Sequence, residues 1–479
     1  MTDTTKATAF RRIPSLDALL AEPAVGPLID RFGREAVVTA ARSALDDVRA
    51  AIASSQPGAD EVHAPSLSPA PDLSAPALVN RLGERLERRF APSLAPAVNA
   101  TGVIMHSGLG RAVLPAAAGE ALAAVASGYS TLALDLGSGK RAPRDRHVEG
   151  LLCELTGAEA AAVANNNAAA TVLILNTLAL GKEVVVSRGQ LVEIGGSFRM
   201  PDVMATSGAV LREVGTTNKT HLRDYDAAVT GSTGAILRVH HSNYRIVGFA
   251  EEPSIEELAA LGRARGVPVV DDLGSGALVD LAPFGLATEP LVQASVRAGA
   301  DVVCFSGDKL IGGPQSGIIV GKSSWIQKIR KNPLARAFRC GKLSLAALES
   351  TLKLFLAPDK LVERHPIYRM LALTPEELGR RAKKLAAALR KSLPSSVVVA
   401  VEDGASQVGS GAVPVETLPS KVLAVRSPAL APEELARRLR FARPPIFARI
   451  HKDAVLFDLR TIQPGEEALV ERALAELMR

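Results

Sequence analysis

The sequence predicts an α/β protein built on a mostly parallel seven-stranded sheet, with a small helical domain before it and a smaller α+β domain after it. Three observations carry that expectation. From about residue 100 to 325, short apolar β-rich runs alternate with helical stretches, the pattern of βα units. Near the N-terminus, Val37, Val38, Ala41, Leu45, Val48 and Ile52 recur at three- to four-residue spacing, and Ser15 can cap a first helix. Beyond Thr374, helical stretches around 375–391 and 432–440 flank β-like runs at 396–401, 421–425 and 454–458.

The expected strands of the large sheet are 160–165, 183–187, 208–213, 234–240, 267–271, 301–305 and 317–320. Pro57, Pro65, Pro69, Pro71 and Pro76 stand among Ser, Ala and Asp, a composition that packs no core and reads as an extended linker. The expected domains are therefore 1–65, helical module and linker; 66–370, the large domain; and 371–479, the small one. No internal repeat is present.

Composition narrows the class. A chain of 479 residues with 47% apolar content can bury at least one large core. No apolar run reaches the roughly 18 residues of a membrane span, and Asp3 and Lys6 stand where a signal peptide would begin its apolar region. A cytoplasmic location is expected. Cys153, Cys304 and Cys340 have neither Cys-x-x-Cys nor Cys/His spacing, so neither a metal site nor a disulfide framework is expected. A net charge of +6 leans mildly toward anionic partners.

Chemistry concentrates at strand ends. In Phe305-Ser306-Gly307-Asp308-Lys309-Leu310-Ile311-Gly312-Gly313, one lysine closely follows an apolar strand. A desolvated lysine is suited to Schiff-base chemistry, Ser306 can donate to a phosphate, and the glycines admit close approach of a ligand. Alone, this is a loop lysine after a buried strand. Val269-Val270-Asp271-Asp272 adds carboxylates at another strand end, where open α/β sheets bind ligands. A carboxylate there can keep a pyridinium nitrogen protonated. Alternation lets only one face the ring, and Asp272 is preferred, with Asp271 solvated or capping. Upstream, Asn165-Asn166-Asn167-Ala168 opens a helix whose free N–H groups make an anion site, with Asn166, Asn167 and Ala168 as cofactor contacts. In chain order, the helix start, the strand-end Asp and the strand-end Lys compose a fold type I pyridoxal-phosphate-dependent enzyme.

Two further segments are candidates for the pocket. In Arg238-Val239-His240-His241-Ser242-Asn243-Tyr244-Arg245, Asn243 can bond the cofactor's phenolic oxygen, while the histidines suit ligand contacts or solvation better than a metal. The turn Glu193-Ile194-Gly195-Gly196-Ser197-Phe198 is a candidate wall or a plain loop.

These segments resemble the bacterial L-seryl-tRNA(Sec) selenium transferases, the selenocysteine synthase family, over nearly the whole length. The resemblance runs through Asn99-Ala100-Thr101-Gly102 to Gly108-Leu109-Gly110-Arg111, Gly139-Lys140-Arg141 with Arg144, the triple Asn, Ser187-Arg188-Gly189 to Arg199, His241 to Phe249, and Ser306 to Lys322. One departure stands at Ala142-Pro143, where the family more often has Gly-Ser, and proline restricts that loop.

The resemblance implies a fold type I pyridoxal-phosphate-dependent transferase that turns seryl-tRNA(Sec) into selenocysteyl-tRNA(Sec) with selenophosphate. The route it implies is β-elimination, through an aminoacrylyl-tRNA, followed by selenium addition. Lys309 and Asp272 are the implied catalytic pair. Arg111, Arg144, Arg336 and Arg339 look like the family's arginines that grip the selenium donor, and residues 310–348 hold no acid to oppose them. A large homo-oligomer such as a decamer, with arginines shared between subunits, is also implied, as is tRNA binding by the helical module. Charge does not indicate the last point, because residues 1–53 hold seven basic and seven acidic side chains. Neither a membrane nor DNA is an expected partner. The competing readings are a similar ammonia-lyase acting on an amino-sugar acid, against which the helical module argues, and a nonenzymatic RNA-binding scaffold, against which the Asp272/Lys309 pair argues.

Overall fold

The computed structural model describes residues 10–54, 72–195, 198–241, 243–286, 289–413 and 416–478. The chain divides into two compact units, Met1–Ala95 and Pro96–Arg479.

The first unit is helical: α1 (Leu16–Leu20), α2 (Gly26–Phe32), α3 (Arg34–Ser54) and α4 (Ala75–Phe90). Ser15 caps α1, its hydroxyl accepting the Ala18 N–H at 3.1 Å. Leu78, Leu82 and Leu86 of α4 repeat every fourth residue, so they share one helix face. All three are fully buried in one core with Val37, Ala41, Leu45, Val48 and Ile52 of α3. Helix α4 therefore belongs to the N-terminal unit, whereas a boundary at 65 assigns it to the large domain. Pro76 sits in the first turn of α4, where its missing N–H costs nothing. The linker prolines Pro57, Pro65, Pro69 and Pro71 lie outside the described residues.

In the second unit the strands are β1 (Val98–Ala100), β2 (Ala160–Ala164), β3 (Glu183–Ser187), β4 (Glu193–Ile194), β5 (Phe198–Arg199), β6 (Val210–Val214), β7 (Thr233–Val239), β8 (Val269–Gly274), β9 (Val302–Ser306), β10 (Gly317–Gly321), β11 (Val398–Ser406), β12 (Leu418–Arg426), β13 (Ile446–His451) and β14 (Ala454–Asp458). Seven form one sheet in the order β2-β10-β9-β8-β7-β3-β6. Only β10 runs antiparallel to its neighbours. Each strand is largely apolar because helices cover both faces. Alternate residues divide between two cores: Val185, Ile236, Val269 and Val303 enter one, and Val184, Leu237, Val270 and Val302 enter the other. At about 1.5–3 kcal/mol for each fully buried side chain of this size, these two layers hold the sheet rigid beneath its strand ends.

The second sheet has the order β1-β13-β14-β12-β11. The helices Pro375–Ser392, Pro432–Leu439 and Glu467–Leu477 contribute to the core it shares with Val98 and Ala100. Thr374 and Glu377 make a reciprocal cap at the first of these helices. β1 and β13 escape sequence reading. β1 is three residues long, and β13 is mostly half-exposed and carries Arg449 in its middle. Pairing of β1 with β13 ties residue 98 to residue 446, so the small sheet takes an edge strand from the start of the unit.

Candidate active site

The parallel strands β2, β7, β8 and β9 point their carboxyl ends toward one recess of about 310 Å³. Arg111, Asn166, Asn167, Ala168, Asp272, Ser306 and Lys309 all line it. Residues separated by nearly 200 positions thus meet because parallel strands end at the same edge.

Alternation along β8 separates the two acids. Asp271 points to the opposite face and pairs with Arg238 at 3.2 Å. Asp272 faces the recess side, where the Asn167 amide donates to it at 2.9 Å and the Thr171 hydroxyl at 2.9 Å. The Gly274 N–H adds a third bond at 3.1 Å. Burial pushes the Asp272 carboxyl upward, while these three donors and Lys309 oppose that rise and favour the carboxylate.

Asn166 is the N-cap of the helix Asn167–Ala179, its side chain accepting the Ala169 N–H at 2.8 Å. That leaves Asn167, one residue on, to reach Asp272. Gly317 on β10 makes room for this turn, since a Cβ there would stand 2.1 Å from the Asn166 carbonyl oxygen.

Lys309 is 7% exposed. Burial lowers its pKa first, and the Arg111 charge lowers it further; Asp272, Asp308 and Glu289 act the other way. A lysine so placed holds its amine uncharged more readily than one in water. Its loop is tightly fixed. The Leu310 carbonyl accepts from the Tyr368 hydroxyl at 3.0 Å, and the Ile311 carbonyl meets His365 Nε2 at 2.9 Å. Gly312, at φ 68°, lets the His365 ring in: a Cβ would lie 2.1 Å from it.

Arg111 reaches the recess from a backbone at φ 62°, rarely adopted by side chains other than Gly, Asn and Asp. It donates to Asp308 at 2.8 Å. Asp308, Thr171, Met200, Val239 and Gln315 escape sequence reading. Asp308 stands between two more conspicuous residues, and Thr171 is one turn into an ordinary helix.

Other candidates fall elsewhere. Asn243 does not line the recess; its amide donates to the Glu193 carbonyl at 2.8 Å. His240 lines it instead. Ile194 and Gly195 supply a wall, as the turn reading allowed, whereas Gly196, Ser197 and Ser242 lie outside the described residues. Arg144, Arg336 and Arg339 line a different recess, of about 460 Å³, together with Arg141. The Arg144 charge depresses the pKa of Arg339, so these cations repel one another and would gain from an anion among them.

The first recess suits pyridoxal phosphate. An acid held by three donors awaits a ring nitrogen, a helix start and a serine await a phosphate, and a buried lysine awaits a carbonyl. Two buried polar atoms in the lining, Asn167 Oδ1 and His240 Nδ1, lack a hydrogen-bond partner among the described residues, as expected where a polar group is to be received.

Comparison with known proteins gives the same direction. The family profile described as L-seryl-tRNA selenium transferase matches residues 97–463, and that of the selenocysteine synthase N terminal matches residues 10–49. The chain belongs to the L-seryl-tRNA selenium transferase family. It is 49% identical over 470 residues to the L-seryl-tRNA(Sec) selenium transferase of Geobacter sulfurreducens, covering 98% of this chain and 99% of the relative. The corresponding Methylocella silvestris protein is 49% identical, with 95% and 94% covered. That of Nitratidesulfovibrio vulgaris is 46% identical, with 98% and 99% covered. A solved D-glucosaminate-6-phosphate ammonia-lyase is 21% identical with a TM-score of 0.56, covering 82% of this chain and 98% of that one; the likeness is one of fold.

The fold of this family member is therefore fold type I, and pyridoxal phosphate is its cofactor. Among the described residues no helix is long and apolar enough to cross a membrane. No group of three or more His, Cys, Asp or Glu side chains among them is placed to hold a metal.

Proposed function

We propose that Lys309 and Asp272 carry the reaction, and that Arg144, Arg336 and Arg339 receive selenophosphate. Family membership makes the chain a pyridoxal-phosphate-dependent enzyme that converts seryl-tRNA(Sec) to selenocysteyl-tRNA(Sec). The observation that most supports the residue assignment is the three-donor support of Asp272 beside a buried lysine.

Asp272 would hold the ring nitrogen of the cofactor, Ser306 and the Asn166-Asn167-Ala168 helix start its phosphate, and Lys309 its carbonyl carbon. When bound, the cofactor supplies a sink for the electron pair left by the departing Cα proton. Lys309 would take that proton as base. Burial and the Arg111 charge lower its pKa, which favours the uncharged amine able to accept it. Burial raises the Asp272 pKa while its three donors oppose that rise and favour the carboxylate, which would hold the ring nitrogen protonated. Arg111, bound to Asp308 next to Lys309, sets the cationic side of the site. The serine hydroxyl would leave from Cβ, and the selenium of selenophosphate would bond there as its bond to phosphorus breaks. Phosphate would depart carrying one oxygen from the released hydroxyl or water, and Lys309 would return a proton to Cα.

The arginine cluster fits a phosphate-type donor because each guanidinium makes paired bonds to its oxygens. Association of chains would bring such a cluster to a neighbour's lysine. The helical N-terminal unit, which matches the selenocysteine synthase N terminal, would take the tRNA body, as the family resemblance implies.

The test is turnover of seryl-tRNA(Sec) at varied selenophosphate by the wild type and by Arg339→Ala. The proposal requires at least a tenfold rise in KM for selenophosphate in the variant. An unchanged KM would remove Arg339 from the donor site.

A further inference from the structure

His240 belongs to two cavities. It follows β7 and lines the Lys309 recess, and it also lines a second recess of about 340 Å³. The second is bounded by His241, Tyr244, Arg245, Glu251 and Glu252. Nothing in the reaction described above occupies it.

Its lining is chemically selective. The Tyr244 hydroxyl donates to the Gly189 carbonyl, which fixes the ring. His241 stands edge-on to that ring, with centroids 4.8 Å apart. Its Nε2 meets the Glu252 carboxylate at 2.7 Å, and the other Glu252 oxygen accepts from Gln190 at 3.2 Å. The two rings give the recess an aromatic lining, and each Glu252 oxygen keeps a further lone pair for a hydroxyl or amine donor. Arg245, exposed like Glu251 and Glu252, adds a cation to the lining. His240 Nδ1 and His241 Nδ1 are both buried and have no hydrogen-bond partner among the described residues.

The Glu251 and Glu252 carboxylates in the lining disfavour phosphate or selenophosphate beside them and favour hydrogen-bond donors. The Arg245 cation in the same lining accommodates one anionic group. A planar base, a ribose hydroxyl and a single 5′-phosphate match those three demands in order. We infer that this second recess holds the terminal nucleoside of the acylated RNA, with the ester passing the His240 wall to place the amino acid against Lys309. The inference rests on the seryl-tRNA reading, and it adds where the 3′ end sits.

The position of His240 suits the ester. Burial, helped by repulsion from Arg238 and His241, pushes its pKa down to about 4. The ring is therefore neutral at working pH and can bond an ester without placing a charge beside the reacting carbon.

The experiment uses the full-length holoenzyme and the amide 3′-seryl-amino-3′-deoxyadenosine 5′-phosphate as probe, with serinamide as the control that lacks a nucleoside. Binding of each is read from the change in cofactor absorbance. Arg245→Ala and Glu252→Gln are each expected to weaken the probe by about tenfold, one charge-assisted hydrogen bond, and to change serinamide by less than about twofold. Arg245 is exposed, so its variant carries the test should Glu252→Gln fail to fold. Unchanged probe binding in Arg245→Ala, or equal weakening of probe and serinamide, overturns the inference. Wild-type turnover of seryl-tRNA(Sec) is measured alongside. Turnover with no effect of the variants sinks the recess alone, and no turnover sinks the parent reading with it.

Discussion

The Thr171 hydroxyl donates to the Asp272 carboxylate at 2.9 Å, from a helix turn that also positions Asn167 on the same acid. Two donors from one helix therefore fix both the orientation and the charge of Asp272. Thr171→Val removes one bond and leaves the shape, so kcat should fall about tenfold with the cofactor retained. Asp272→Asn removes the charge itself and should cost at least about a hundredfold. Steady-state kinetics beside cofactor absorbance checks both; equal losses in the two variants would contradict the separation of support from charge.

Arg111 lowers the pKa of Lys309, and its side chain also neutralises Asp308. Arg111→Gln removes a repelling cation and frees a carboxylate, and both changes favour the protonated amine. The pH at which cofactor attaches to the apoenzyme at half its maximal rate should therefore move upward. A downward or absent shift would count against this electrostatic account.

Glu289 offers a pH test of stability. Burial pushes its carboxyl up to about 7, against the Val413 N–H bond and the Lys309 charge. Between the ordinary carboxyl value and about 7, the folded state then binds more protons than the unfolded one. The stabilisation is complete at low pH and is lost as pH rises through about 7. A shift of this size is worth roughly 3 kcal/mol. Urea midpoints at pH 5 and pH 8 should differ more for the wild type than for Glu289→Gln, which cannot titrate.

The clamp on the Lys309 loop predicts a steric failure. Gly312→Ala places a methyl 2.1 Å from the His365 ring at a φ of 68°, two penalties at once. We expect a loss of about 2–4 kcal/mol by denaturant unfolding, with reduced kcat because Lys309 shifts. His365→Ala in the same background should restore part of the stability.

Much of this architecture is legible in the sequence, and the limits have physical causes. Five of the large-sheet strands, β2, β3, β7, β9 and β10, stand out because they are buried nearly throughout and their runs are largely apolar. The edge strand β6 instead carries Arg212 and Glu213 and is mostly exposed. Alternation in the sequence says that only one of Asp271 and Asp272 faces the recess, and the fold turns Asp272 toward Asn167 and Thr171 and Asp271 toward Arg238. Long-range partners do not announce themselves: Tyr368 and His365 read as ordinary core aromatics until the chain folds them onto Leu310 and Ile311. The arginines look like one group in sequence, yet Arg111 lines the lysine recess and the other three line another. The place of Asn243 after a strand suggests the pocket, but its amide donates to the Glu193 carbonyl.

The central claim is that Lys309 performs the proton transfers on seryl-tRNA(Sec). The direct test compares wild type and Lys309→Ala, both loaded with pyridoxal phosphate, for selenocysteyl-tRNA(Sec) formed per active site in the presence of selenophosphate. The account predicts a loss of at least about a thousandfold in the variant, with disappearance of the lysine-linked absorbance band. Turnover within tenfold of wild type, or a band that survives the substitution, would contradict it.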